Sequence, residues 1–301
     1  GAGALDQATT GYQCCAFGKD SLRSVTTGVN NIGVGANAGA AISTGSHNVI
    51  TGTGAGDAIT TGNANTIYGT YAGTTRTTGS NMTAVGYGAA FSATTADQIT
   101  AIGDNAQYAN QTGANNVAVG TNALYSNTVS NNTAVGRYSH MLLTTGSSNA
   151  AFGYMSGYHT TTGHTNISLM GQPSTATASN QITLGGTGHL YLRCNDTSIG
   201  SLSDRRDKTD IIDLPVGLNF LNTLKPRQFK WQTRDGNVKD GSTRCGFIAQ
   251  EFQEAQASYK YLKLVDDENE NRLEANEGHL IPGLVKAIQE LSAKVTALEA
   301  A

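Results

Sequence analysis

Along residues 12–171 apolar side chains arrive in short bursts at a fixed interval, in neither a helical nor a long-strand period. Runs such as Asn116-Val117-Ala118-Val119 put successive side chains on opposite faces, as a strand does. Most bursts end on a glycine. Gly18, Gly35, Gly52, Gly69, Gly86, Gly103 and Gly120 lie 17 residues apart, and Gly136, Gly153 and Gly171 continue the series at 16, 17 and 18. A second series, Gly28, Gly45, Gly62, Gly79, Gly113, Gly146 and Gly163, keeps nearly the same register. Before the first set stands a large apolar residue in most units (Phe17, Val34, Val85, Ile102, Val119, Val135, Phe152). Asparagines occur four residues before it (Asn31, Asn48, Asn65, Asn116, Asn132, Asn149), and an Ala or Ser three after it (Ala38, Ala55, Ala72, Ser139, Ser156).

Such a unit is too small to bury anything alone, so its stability must come from stacking on its neighbours. A fixed Gly lets the chain turn at positive φ or pass close to another backbone, and a fixed Ala leaves space for nothing larger. Seventeen residues is short for a wide single-chain solenoid. The spacing therefore favours a mainly β, parallel homotrimeric shaft, three chains sharing a narrow core at the fixed apolar positions, as a β-roll or a triple β-helix. Phe91, Tyr108, Tyr125, Met141 and Tyr158, each five residues after its Gly, form a ladder that reads as a packed stack or as an outward strip for stacking sugars.

Beyond residue 200 the pattern changes. Residues 214–226 read as a short helix with Leu218, Leu221 and Leu224 on one face, ended by Pro226. Arg227–Trp231 and Cys245–Ala249 read as strands around a polar turn at Asp235-Gly236, and Gln250–Ala255 as a helix. Leu284, Ile288, Leu291, Val295 and Leu298 follow at spacings of 4, 3, 4 and 3, a heptad seam that predicts a short parallel coiled coil. The shaft is thus expected over 1–172, a cap or distal tip over 173–202 with strands at Ile182–Leu184 and Leu190–Leu192, and a small α+β domain ending in the coiled-coil helix over 203–301.

Charge sharpens that boundary. Only 14% of the chain is charged, against roughly 25% in an average soluble domain. Residues 1–200 hold 11 of these charges with no Glu, and the last 101 residues hold 30. A net charge of −3 gives no reason to expect nucleic-acid binding, and no run approaches the ~18 apolar residues of a membrane span. The start lacks a secretory signal and reads as the interior of a longer protein. Cys14 and Cys15 are adjacent while Cys194 and Cys245 stand apart, which fits neither a disulfide framework nor a metal site. The six His have no metal-ligand spacing, Gly33-Val34-Gly35 lacks the helix a phosphate loop needs, and no cofactor is expected.

In the run SDRRDKTDI, Ser203 and Lys208 are five apart, and a Lys beside a Ser can serve as its general base if burial or nearby cations strip its proton. Arg205 and Arg206 favour that, and Asp204 and Asp207 oppose it. Read alone, the cluster is also compatible with a solvated loop. The pieces SDRRDKTDI, LKPRQFKW, GFIAQEF and LIPGLVKAIQEL, in that order, resemble the intramolecular chaperone domain at the C-terminus of phage endosialidases, tail fibres and neck appendages, the S74 peptidase family. NNVAVGTNAL and NNTAVGRYS likewise resemble head repeats of trimeric autotransporter adhesins and phage tail-fibre shafts. The first resemblance implies a domain that trimerises, sets the register of the preceding shaft and then cuts itself off. It implies Ser203 as nucleophile and Lys208 as base, with Asp204 in the position after the nucleophile where Asn or Asp is typical. The scissile bond adjoins Ser203. Attack on the Leu202 carbonyl passes through a five-membered ring and attack on the residue's own carbonyl through a four-membered one, so Leu202–Ser203 is favoured over Ser203–Asp204.

The function these observations imply is a self-cleaving serine endopeptidase of one turnover at the end of a structural fibre or appendage of a virion, assembled in the host cytoplasm. Its partners would be two further copies of itself, other tail proteins through a missing N-terminal part, and a host receptor or surface glycan. Two alternatives remain: a catalytic tailspike acting on host polysaccharide, and a bacterial trimeric surface adhesin. The first needs paired carboxylates, and residues 1–200 offer only Asp6, Asp20, Asp57, Asp97, Asp104 and Asp196. The second lacks the expected membrane anchor.

Overall fold

The computed structural model describes residues 1–160, 163–172, 174–176, 178–185, 203–230, 241–267 and 273–301. The chain forms two compact units, Gly1–Leu190 and Tyr191–Ala301.

The first unit is a β-solenoid. Its strands are three residues each: β1 (Cys15–Phe17), β2 (Ile32–Val34), β3 (Val49–Thr51), β4 (Thr66–Tyr68), β5 (Thr83–Val85), β6 (Thr100–Ile102), β7 (Val117–Val119), β8 (Thr133–Val135), β9 (Ala150–Phe152), β10 (Ser168–Met170) and β11 (Ile182–Leu184). They pair in chain order into one parallel sheet. Cys15 stands opposite Ile32 and Thr100 opposite Val117, so the 17-residue repeat is one coil. Where the repeat is 16 or 18 long the register still holds, Val117 opposite Thr133 and Ala150 opposite Ser168. Ile182–Leu184, expected to cap the shaft, is the eleventh rung of the same ladder, with Ile182 opposite Ser168. Leu190–Leu192 and Pro173 of the expected cap lie outside the described residues.

The core closes within a single chain, which corrects the expectation of a core shared by three. The middle residue of each strand faces inward, and Ile50, Ile67, Ala84, Ala101, Ala118, Ala134 and Ala151 are buried. The Ala or Ser three residues after the ladder glycine is buried in every coil from Ser21 to Ser156. A third inward row lies seven residues after that glycine and runs Val25, Ile42, Ile59, Arg76, Ala93, Asn110, Asn127, Leu143 and Thr160. The residue just before the glycine, expected in the shared core, faces out: Phe17 is 73% exposed and Phe152 43%. Alternation explains the inversion, because once the central Ala points in, its bulky neighbours must point out. A coil this narrow accepts Ala and Ile at its axis and leaves the Phe and Tyr rings on its outer faces.

Two ladders hold coil to coil. At Gly52 and Gly86 a Cβ would lie 2.5 Å from the carbonyl oxygen of the next coil's glycine, and φ is 136° and 132°. No L side chain fits there. The asparagines form a buried chain of amides. Asn48 Oδ1 accepts from the backbone N–H and the side-chain amide of Asn65 at 3.1 and 2.9 Å. Its own amide donates to Asn31 Oδ1 at 3.0 Å and to the Gly62 carbonyl at 2.9 Å. Met82 breaks the series, and a buried arginine fills the gap. Arg76 donates to the carbonyls of Gly79 and Ser80 at 2.9 and 3.0 Å and packs on Met82. Burial pushes its guanidinium down to about 10.

The aromatic ladder is a stack over only part of its length. Phe91 and Tyr108 lie 4.9 Å apart at 10°, and Tyr108 and Tyr125 5.1 Å apart at 6°, while Tyr158 packs edge-on against Tyr138.

The second unit is a small α+β domain. Helix α1 (Leu218–Leu221) is followed by the antiparallel pair β12 (Arg227–Lys230) and β13 (Thr243–Gly246), then α2 (Ala249–Ala255), the short pair β14 (Val265–Asp266) and β15 (Glu274–Ala275), and α3 (Ile281–Glu299). The second strand begins two residues before the Cys245 expected to open it. Trp231 and the turn at Asp235-Gly236 lie outside the described residues. Val216, Phe220, Phe252, Leu264, Val265 and Leu280 form the core. Glu290 ties α3 to α1 by accepting the backbone N–H of Leu218 at 2.9 Å, a carboxylate at a helix start.

Two predictions follow from the solenoid. Asn48→Ala leaves the Asn65 N–H and the Gly62 carbonyl buried without partners, so stability falls by about 3 kcal/mol, read from the denaturant midpoint. His140 is fully buried, neither ring nitrogen has a partner, and desolvation holds it down at about 4. Its neutral form belongs to the fold, so stability is full above the unfolded value of 6.5 and falls as pH drops towards 4, by about 3 kcal/mol in all. Leu124 occupies the equivalent place one coil earlier, so His140→Leu should fold and lose that share of the pH dependence between pH 7 and 4.5, measured against the parent.

Candidate functional site

The second unit's described residues open on Ser203, and the chain turns at once. Asp204 caps a single 3-10 turn, Arg205–Asp207, its carboxylate accepting the Arg206 backbone N–H at 2.8 Å. Asp favours this place because its side chain satisfies an N–H that the turn leaves free. The Arg206 guanidinium then folds back onto the same carboxylate, Nη2 to Oδ2 at 2.6 Å and Nε to both oxygens at 3.1 Å. That hydrogen bonding, first from the Arg206 side chain and then from its backbone, holds the Asp204 carboxyl below the usual carboxylate range. Both groups are solvent-exposed, so the clamp shapes the turn more than it stabilises the fold.

One turn brings residue 208 back over residue 203. Lys208 Nζ lies 2.5 Å from Ser203 Oγ and 3.5 Å from the Ser203 carbonyl oxygen. The two side chains singled out in the sequence therefore meet within one chain. Both are exposed. Arg206, expected to help discharge the lysine, is spent on Asp204. Leu202, the residue on the other side of the expected scissile bond, lies outside the described residues.

The Asp204–Arg206 clamp was missed in the sequence, where four charges in a row read as opposing influences on the lysine. The only available signal was the i, i+2 spacing of an acid before a base, which is common in loops. Arg227 and Glu251 form a second pair, at 2.5 and 3.0 Å, joining β12 to α2. Downstream of the lysine, Ile211 and Ile212 are 56% and 82% exposed. Leu284, Ile288, Leu291, Val295 and Leu298 of α3 are each 45% exposed or more. Among the described residues no helix is long and apolar enough to cross a membrane.

Residues 203–273 match the peptidase S74 family, described as chaperone of endosialidase. The chain carries an endosialidase-chaperone domain. Its first residue is the serine that meets Lys208, and the matched span contains SDRRDKTDI, LKPRQFKW and GFIAQEF, while LIPGLVKAIQEL on α3 follows it. No curated protein and no solved structure matches the chain. In this chain the S74 domain therefore follows a repeat β-solenoid.

Proposed function

We propose that the chain is part of a phage tail fibre or appendage whose S74 domain, residues 203–301, assembles three copies and then detaches by cutting the chain next to Ser203. The shaft, 1–172, with its cap or distal tip over 173–202, is the part that stays. What carries the reading is the hydrogen bond between Lys208 and Ser203 at the first residue of a domain from a chaperone family.

The chemistry needs one proton transfer and one acyl shift. Neutral Lys208 takes the Ser203 hydroxyl proton, and Oγ adds to the Leu202 carbonyl through a five-membered ring. Collapse of that intermediate, with Lys208 passing its proton to the departing nitrogen, breaks the Leu202–Ser203 peptide bond, frees the Ser203 amine and leaves Leu202 as an ester on Oγ. Water then hydrolyses the ester, giving the Leu202 carboxylate and restoring the serine. A lysine works as a base only when something removes it from water. Among the described residues of the single chain nothing covers it, so in this reading the desolvation comes from neighbouring copies, and cutting waits for assembly.

Two surfaces favour self-association. The seam of α3 presents Ile288 at 66% and Leu298 at 77% exposure, an apolar stripe at heptad spacing that three parallel helices would bury. At about two heptads it needs help from elsewhere. The outer face of the solenoid sheet carries no charge from Cys15 to Leu184, and Phe17, Ile32, Val49, Tyr68, Ile102 and Met170 on it are 38–73% exposed. A flat uncharged sheet face of this length calls for a partner, and identical faces on three copies supply one.

The test is the intact mass of the purified chain, denatured and native, beside Ser203→Ala. The parent should give two fragments split next to Ser203, the variant one uncut chain, and both should be trimeric. The fragment masses assign the bond. Lys208→Ala should slow cutting by about 10²- to 10⁴-fold, the usual worth of a positioned base. A parent that forms trimers and stays whole overturns the reading.

A further inference from the structure

We propose that the turns after β8 and β9 form a binding site for a saccharide carrying a carboxylate, with Arg137 engaging the charge and Tyr138, Tyr154 and Tyr158 offering ring surface. The inference rests on reading the solenoid as a shaft that meets other surfaces, and it does not require self-cleavage.

The ladder itself assembles the site. Arg137 and Tyr138 follow Gly136, Tyr154 follows Gly153, and one coil step sets the two turns side by side. The rings of Tyr138 and Tyr154 lie 6.2 Å apart at 50°, those of Tyr138 and Tyr158 6.3 Å apart at 78°, and His159 stands edge-on to Tyr158 at 4.9 Å. The guanidinium carbon of Arg137 is 4.2 Å from the centre of the Tyr138 ring and 6.0 Å from that of Tyr154. Its Nη2 donates to the Tyr138 hydroxyl at 2.7 Å. The side chain is thus ordered over aromatic faces while remaining exposed.

Charge makes the site selective. From Asn105 to Leu192, Arg137 is the only side chain with a full charge. Among the described residues no carboxylate lies within 4.0 Å of it. A planar cation held on rings, with no counter-charge among the described residues, is matched by a carboxylate from outside, which can take two of its N–H groups. The tyrosines supply the remainder of a sugar site, because the C–H face of a pyranose packs on an aromatic face and its hydroxyls meet phenol groups. Phe91, Tyr108 and Tyr125 cannot do this, since their near-parallel rings at 4.9 and 5.1 Å cover one another. Tilted rings leave faces open.

The molecule contains its own control. Tyr71 and Tyr87 repeat the placement of Tyr138 and Tyr154, with centroids 6.1 Å apart at 81°, but Thr70 stands where Arg137 does. Tyr71 and Tyr138 both sit at left-handed φ, 58° and 60°, where the other coils use Asp20, Asn37, Gly54, Gly88, Asn105, Asn122 and Met155. An aromatic there costs about 1 kcal/mol of backbone strain, so backbone geometry does not select it.

The experiment titrates oligogalacturonate and, in parallel, a neutral maltooligosaccharide against the full chain, using variants whose unfolding midpoint matches the parent's. The acidic saccharide should bind in preference to the neutral one. Arg137→Gln should weaken it about 10- to 100-fold and Tyr154→Ala about 5-fold, whereas Tyr87→Ala should leave it unchanged. Equal binding by Arg137→Gln, or no binding at millimolar saccharide, overturns the proposal. So does equal affinity for polyglutamate, which would mark a site for anions of any kind. The same samples scored by intact mass separate the two readings: a chain that trimerises and cuts but ignores the saccharide sinks this inference alone.

Discussion

Everything in the first unit depends on how closely one coil can approach the next. Parallel strands pair at about 4.8 Å, and at the ladder glycine this brings a carbonyl oxygen into the space a Cβ would take. That single contact dictates the rest of the coil. The chain leaves the glycine in a turn that alternates ordinary and left-handed residues, and the Ala or Ser three residues on is driven into the axis. With so little room inside, hydrophobic burial per coil is small, and the asparagine amides carry the remaining contact between turns. Arg76 illustrates the economy: where the amide chain lapses at Met82, the fold buries a guanidinium to satisfy two carbonyls.

The second unit obeys a different physics. It has a compact core around Phe220 and Phe252 and a tight turn that brings Lys208 onto Ser203, yet its longest helix presents a whole apolar seam to solvent. The solenoid satisfies its interior by itself, whereas the S74 domain leaves the apolar seam of α3 and the Ser203–Lys208 pair exposed. Under the function proposed above, this incompleteness keeps the interface between copies from being satisfied before the copies meet.

Much of this was legible in the residues, for reasons that can be named. Gly52 and Gly86 stood out because backbone contact admits one residue type, whereas Ser203 and Lys208 stood out through the resemblance to the S74 chaperone domain and not through their spacing alone. Side-chain direction was not legible. In Val117-Ala118-Val119 the larger side chains suggest the core, and only the width of the coil decides that Ala118 takes it. Nor could the number of chains per core be read, since a fixed apolar position marks a contact without saying whose. Arg76 and His140 escaped notice because nothing about an isolated Arg or His in a polar repeat announces burial, and the Asp204–Arg206 clamp because its members looked like rivals for the lysine.

The tolerance of the ladder to 16- and 18-residue coils bears on how long such a column can be. Register is set at the strand and its glycine, so the slack of a shorter or longer coil is absorbed in the turns, and the rungs on either side stay aligned. Whole coils are therefore interchangeable units of length. Duplicating or deleting one changes the reach of the column by about 4.8 Å while the strand and glycine register of the remaining coils is kept. Dimension is uncoupled from chemistry: the distance between whatever the two ends touch can be adjusted in fixed steps, as on a ruler, without redesigning any surface.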